Sequence, residues 1–210
     1  MASPNKPTLD YDIPVYAPAA RRYHWWAAAL VLLQLPLGFY MMYRAEEMPG
    51  VNDKGEAVKG VWNGIADGGL TDTLFSSHKI LGLVIFALIV ARLAYRLMNG
   101  APRSDPTVPA ALTGIGHAVH WSLYLLLLAV PVGGYLGISY GNYLDVFGIN
   151  LPALTAENKD MSKAMLEYHG IGAALLGLLA AMHIGGALFH KVIRKDRVVE
   201  RMLPKKNRVA

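Results

Sequence analysis

The chain has 210 residues, 54% of them hydrophobic and 17% charged, with no cysteine and a formal net charge of +5. Long charge-free runs separated by charged, Gly- and Pro-rich stretches exclude an ordinary soluble domain and point to the membrane class. Without cysteine there is no disulfide framework, no thiolate nucleophile and no thiolate metal site, so any metal falls to His, Met, carboxylate or a cofactor.

Residues 1–20, with Pro4, Pro7, Pro14 and Pro18, read as an extended N-terminal arm. The first apolar run, 23–43, contains no charge. Its apolar core is too long for a cleaved signal peptide, and "YRAEEMPG" after it offers no small-x-small cleavage site. A Gly-rich loop over about 44–77, with a lone Trp62, is long for a compact four-helix protein; a cap over one face and a solvated insertion fit it equally. The second run covers about 78–97, with Lys79 and Arg92 near its ends. The third, 118–139, and the fourth, 168–189, carry no charge. About 20 residues at 1.5 Å rise cross a hydrocarbon core of roughly 30 Å, and backbone groups in lipid must be satisfied within the segment. The expectation is an all-α membrane protein with four transmembrane helices in one domain over 21–203, kinked locally at Pro36 and Pro131. Residues 204–210 form the end of a basic tail.

Lys and Arg sort the connections. Fourteen of the 20 lie in the N-terminal arm, between spans two and three (Arg92, Arg96, Arg103), or after span four. Ten of the 15 acids lie on the other side. The positive-inside rule then places both termini in the cytoplasm, with loops 44–77 and 140–166 outside. The positive balance reflects orientation in a bilayer rather than nucleic-acid binding.

Seven histidines punctuate the runs. His24, His78, His117 and His190 lie near span ends, where an imidazole at the headgroups needs no special account. His183 lies inside the fourth span, where an ionisable group is costly and faces the bundle interior with a partner. His169 precedes it by fourteen residues, just under four turns, so the two share a face roughly 21 Å apart. One metal cannot bind both, but two sites at different depths can. Topology pairs His24 with His183 near the inner face and His78 with His169 near the outer. Two imidazoles from facing helices with a flat metal macrocycle between them is bis-histidine haem ligation, built as cofactor sites in helix bundles are. Gly82, Gly170, Gly172, Gly177, Gly185 and Gly186 near these histidines, and Gly133, Gly134 and Gly137 in span three, leave room for such a group, although helix packing in membranes uses small residues too.

With "RRYHWW", "SHKILGLVIFALIVARLAYRL", "GIGHAVHWSLYLLLLAVPVGGYLGIS" and "LEYHGIGAALLGLLAAMHIGGALFHKVIRKDRVVERML", the chain resembles the bacterial cytochrome b561 family from about Arg21 to Leu203. That resemblance implies a four-helix bundle enclosing two b-type haems, with His24, His78, His169 and His183 as iron ligands. It leaves His120 in a span without a ligand, where it meets a haem propionate, lines a quinone site or simply packs. His190, the rival for the inner ligand, is expected at the interface near the inner propionates with Arg21 or Arg22. Lys79 is expected at an outer propionate or attracting an anion.

The function implied is transmembrane electron transfer in a bacterial inner membrane, exchanging electrons with a ubiquinone-like quinone. The family includes superoxide-oxidising enzymes, which makes Lys79 and Arg44 the candidate catalytic cations. The alternatives are a cytochrome b anchor subunit of a dehydrogenase or hydrogenase, and a haem-free transporter or scaffold, which would make four well-placed histidines a coincidence. Expected partners are membrane lipid, quinone, a periplasmic donor or superoxide, and a second copy of the chain.

Overall fold

The structure is a computed structural model, and it describes residues 14–47, 49–51, 54, 57–59 and 69–203. Residues 48, 52, 53, 55, 56 and 60–68 of the 44–77 loop, Trp62 included, lie outside the described residues, as do the first thirteen residues of the arm and the tail end 204–210.

Four helices dominate: α1 (Pro18–Glu47), α2 (Leu70–Asn99), α3 (Ala110–Gly141) and α4 (Lys159–Leu188). All four are long and apolar enough to cross a membrane. Each begins several residues before the apolar run it contains. Pro36 and Pro131 sit inside continuous helix. The apolar side chains mostly face outward: Leu32, Leu33, Leu125 and Leu178 are exposed. In water that surface would be untenable, whereas in hydrocarbon it is the expected one.

Sequential helices pack on one another, α1 on α2, α2 on α3 and α3 on α4. Ala27, Ile85, Ile89 and Tyr124 form the buried cluster where the first three helices meet. The α3–α4 contact depends on glycine. A Cβ on Gly137 would stand 2.7 Å from Leu166 Cδ2, and one on Gly172 would stand 2.8 Å from Val130 Cγ2. Only small residues let helix backbones approach so closely.

At one end of the bundle the α3–α4 connection folds into a short hairpin, β3 (Asp145–Val146) against β4 (Ile149–Asn150); a second pair, β1 (Pro49–Val51) and β2 (Ala57–Lys59), follows α1. Phe147 and Gly148 both have positive φ in the two-residue turn, the geometry that matches strand twist in a tight hairpin. The Ser139 hydroxyl accepts the Leu154 and Thr155 amides, and Asn158 caps α4 by accepting the Met161 amide.

At the opposite end the stretch from Pro14 meets the segment that runs to Leu203. Buried Arg201 donates to the carbonyls of Pro14, Pro102 and Arg103, joining the arm, the α2–α3 connection and the tail. Trp25 Nε1 donates to the Met202 carbonyl. Arg92 and Arg96, counted in a connection on sequence grounds, lie within α2 toward this end.

Candidate functional site

The four helices bring the histidines together in two groups. On the hairpin side, His78 of α2 and His169 of α4 have ring centroids 5.9 Å apart with their planes at 84°. On the termini side, His24 of α1 and His183 of α4 lie 6.1 Å apart at 75°. Two imidazoles sharing one metal, each through a bond of about 2.0–2.1 Å, have centroids roughly 6 Å apart. Both pairs therefore fit a single ion held between facing rings.

Local structure fixes the hairpin-side rings. A Cβ on Gly134 of α3 would lie 2.7 Å from His169 Nδ1, so the ring rests directly on the α3 backbone. There Nδ1–H donates to the Val130 carbonyl at 2.8 Å. That bond leaves Nε2 as the unprotonated nitrogen, the one a metal requires, and orients the ring as a carbonyl behind a metal-bound histidine does. His78 is seated similarly on Gly38 of α1, where a Cβ would approach its Cε1 at 3.0 Å. Its Nδ1 is buried and has no hydrogen-bond partner among the described residues. Gln34 of α1 donates to the His78 carbonyl at 3.0 Å and ties the two helices at this depth.

The termini-side group is built differently. Arg92 Nη2 lies 3.1 Å from His24 Nδ1. His120 of α3 adds a third ring, its centroid 5.2 Å from that of His183. The Arg92 guanidinium carbon stands 5.3 Å from the centre of the Tyr124 ring, and that of Arg96 lies 5.3 Å from Trp121 and 5.6 Å from Tyr124.

The remaining sequence-derived candidates are dispersed. Lys79, next to His78, has its ammonium on the Tyr143 and Asp145 carbonyls at 2.8 Å each. It lines a cleft of about 520 Å³ with Asp72, Asn142, Asp145 and Asn150. Arg44 occupies the last turn of α1. Arg21 donates to the Leu203 carbonyl. His190 lies in the π-helical turn Phe189–Arg194 and pairs with Asp196 at 2.6 Å, away from the His24–His183 rings. Burial alone would raise the Asp196 carboxyl, but hydrogen bonds from His190, the Val198 amide and Arg194 hold it below the usual carboxylate range.

Sequence reasoning missed Arg92, Gln34 and Gly38 as site residues. The signal for Arg92 was present: it follows His78 by fourteen residues, the interval that separates His169 from His183.

A family model described as prokaryotic cytochrome b561 matches residues 15–205. The probable superoxide oxidase CybB of Yersinia pestis is 30% identical over 131 residues, 61% of this chain and 74% of that protein. Cytochrome b561 homolog 1 of Escherichia coli K12 is 28% identical over 131 residues, 62% of this chain and 74% of that protein. Cytochrome b561 homolog 2 of the same strain is 32% identical over 130 residues, 61% and 69% respectively.

Proposed function

This chain belongs to the prokaryotic cytochrome b561 family, and on that premise we propose that it conducts electrons across the bacterial inner membrane through two b-type haems, delivering them to a ubiquinone-like quinone. Family membership, four apolar spans and a probable superoxide oxidase among the relatives support membrane electron transfer with b-type haem. The observation that carries the two-site reading is the pair of facing imidazole couples, at 5.9 and 6.1 Å, at opposite ends of the bundle.

In this reading His78 and His169 hold the haem at the periplasmic, hairpin-side end, and His24 and His183 hold the cytoplasmic, termini-side one. Each haem, when bound, would supply a one-electron couple. The chain's own residues do the rest. Val130 fixes the tautomer and angle of His169, Gly38 and Gly134 let the rings lie against helix backbone, and Gln34 holds His78 in depth. His120, against His183, sits where a propionate or a quinone oxygen would meet it.

On the periplasmic side the cleft at Lys79 is the entry point for a small anionic donor, for which superoxide is the chemistry suggested by the Yersinia relative's name. Two superoxide ions release two electrons and become two oxygen molecules; with two protons those electrons reduce one quinone to quinol. The remaining proposed features are a multi-pass inner-membrane location, both termini in the cytoplasm and a homodimer. They rest on the charge distribution and on the family.

Pyridine haemochrome analysis of the purified protein tests the core of this reading: two haems b per chain are expected, reducible by a short-chain ubiquinol. A fully loaded protein with a ratio near one overturns the pairing, and a colourless one overturns the function.

A further inference from the structure

Arg92 and Arg96 sit one helical turn apart on α2, at the depth of the His24–His183 pair. Guanidinium groups carry only donors and stay charged at any pH a protein experiences. Arg92 meets His24 Nδ1 at 3.1 Å, and both guanidiniums lie over the α3 aromatics Tyr124 and Trp121. Among the described residues neither is in an ion pair with a carboxylate. A charge held in a membrane interior is costly, and such residues pair or do work there. Two adjacent ones with only ring faces and an imidazole for company make a fixed positive field on the termini-side site.

The hairpin-side site has the opposite character. Lys79, the residue after His78, is tied to two carbonyls and shares its cleft with Asp72 and Asp145. The site's ligand His169 gives its Nδ1 proton to the Val130 carbonyl, which makes the ring a stronger electron donor to a metal and favours the oxidised ion. A positive field favours the reduced one, and more so where the dielectric is low. Ligand hydrogen bonding and nearby charge thus act in the same direction.

We propose that Arg92 and Arg96 set the direction of electron flow, making the termini-side site the more easily reduced of the two. This rests on the reading that each histidine pair holds one haem. The step is a single-electron transfer. Loaded with haem, the hairpin-side site would take one electron from the outer donor and give it to the termini-side site, the first returning to its oxidised state as the second is reduced, with quinone the final acceptor. No bond is made or broken, and the guanidiniums offset the added negative charge where it arrives.

The experiment is an optical redox titration of the holoprotein, with His183→Ala and His169→Ala to assign each midpoint to a site. The wild type is expected to show two midpoints, the higher one missing from His183→Ala. In Arg92→Gln/Arg96→Gln the higher midpoint should fall by at least a tenfold change in the reduced-to-oxidised ratio, which is 59 mV for one electron. The lower should move far less. Arg92→Lys/Arg96→Lys should restore most of the difference. Two intact haems with the higher midpoint on the hairpin side overturn the proposal even if the arginine variants fail to fold. So does a double Gln variant with both haems and unchanged midpoints. A wild-type preparation with fewer than two haems overturns the two-site reading itself, and the proposal with it.

Discussion

Arg92 Nη2 reaches His24 Nδ1 at 3.1 Å, while His169 Nδ1 faces the Val130 carbonyl at 2.8 Å, so the two sites hold their histidines in opposite tautomers. The guanidinium can only donate, so His24 Nδ1 must accept and its proton sits on Nε2. A metal at Nε2 requires that proton to move to Nδ1 and the guanidinium to give up this hydrogen bond, while its charge stays over the Tyr124 ring. His169 needs no such change. Haem titrated into haem-free protein is therefore expected to fill the hairpin-side site first. The difference is on the order of one hydrogen bond, about 1 kcal/mol or a factor of about five in affinity. Comparing haem affinities of the haem-free His183→Ala and His169→Ala proteins checks this: equal affinities, or tighter binding by His169→Ala, would contradict it.

The two candidate ligands on the termini side have different partners. His190 is engaged with Asp196 and has Phe189 as its ring neighbour, whereas His183 faces His24. His183→Ala should lose one haem and keep the spectrum of the other; His190→Ala should keep both and at most shift a potential. Loss of a haem in His190→Ala alone, read from the haem-to-protein ratio, would reverse the ligand assignment.

Glycine substitutions separate cradle from spacer. In a helix interior Gly→Ala gains up to about 1 kcal/mol in propensity where space allows. At Gly170 a Cβ meets nothing within 4 Å, so Gly170→Ala should be neutral or slightly stabilising. At Gly134 it would stand 2.7 Å from His169 Nδ1, on the ring that donates to Val130. Gly134→Ala should weaken or abolish hairpin-side haem binding despite the better propensity. Thermal unfolding and haem stoichiometry of the two variants provide the comparison.

The termini-side cap should loosen in acid. Asp196 is held below the usual carboxylate range, because the hydrogen bonds from His190, Val198 and Arg194 outweigh its burial. A depressed carboxyl contributes stability that is present above its unfolded value of about 3.9 and is lost as pH falls through the lower folded one. Protease resistance or amide protection of residues 190–203 should therefore be flat from pH 7 to about 5 and fall below about 4. Asp196→Asn should give lower protection at neutral pH and no step in that acid range. A wild-type step at neutral pH instead would assign the cap to a different group.

Much of the architecture was legible because lipid imposes simple demands. Charge-free runs over 23–43, 118–139 and 168–189 can be little else than spans, and fourteen residues between His169 and His183 puts both on one face. The helices outrun those runs because their ends lie where charged and polar residues are tolerated. What stayed hidden is what depends on tertiary contact. Arg92 looks like a cation near the end of a span until α2 is seen to carry it to His24. Gly38 is one glycine among 21 until the His78 ring is found against it. His190, expected at the interface, lies in a π-helical turn that the sequence does not announce, where the register no longer follows a period of 3.6. For Lys79, expected at an outer propionate or attracting an anion, the sequence gives no hint of the two carbonyls that the hairpin turns toward it.

That finding sharpens the prediction about chemistry at the outer face. Two of the three Lys79 N–H groups have partners, leaving one to meet a small anion in the cleft, with Asp72 and Asp145 opposing its attraction. Steering by a cleft charge raises encounter rates by tenfold or more at low salt, and screening removes it as ionic strength rises. Stopped-flow mixing of oxidised protein with superoxide should give haem reduction that slows with salt. Lys79→Gln should slow it by up to about tenfold at low ionic strength. Because that variant also unties the hairpin, Asp72→Asn is the cleaner partner: it keeps both carbonyl contacts, removes an opposing charge, and should accelerate reduction. If all three proteins react equally fast and independently of salt, the Lys79 cleft does not steer the donor. If superoxide reduces none of them while ubiquinol still does, the donor is of another kind. Failure of ubiquinol as well would leave an electron carrier served at both faces by protein partners.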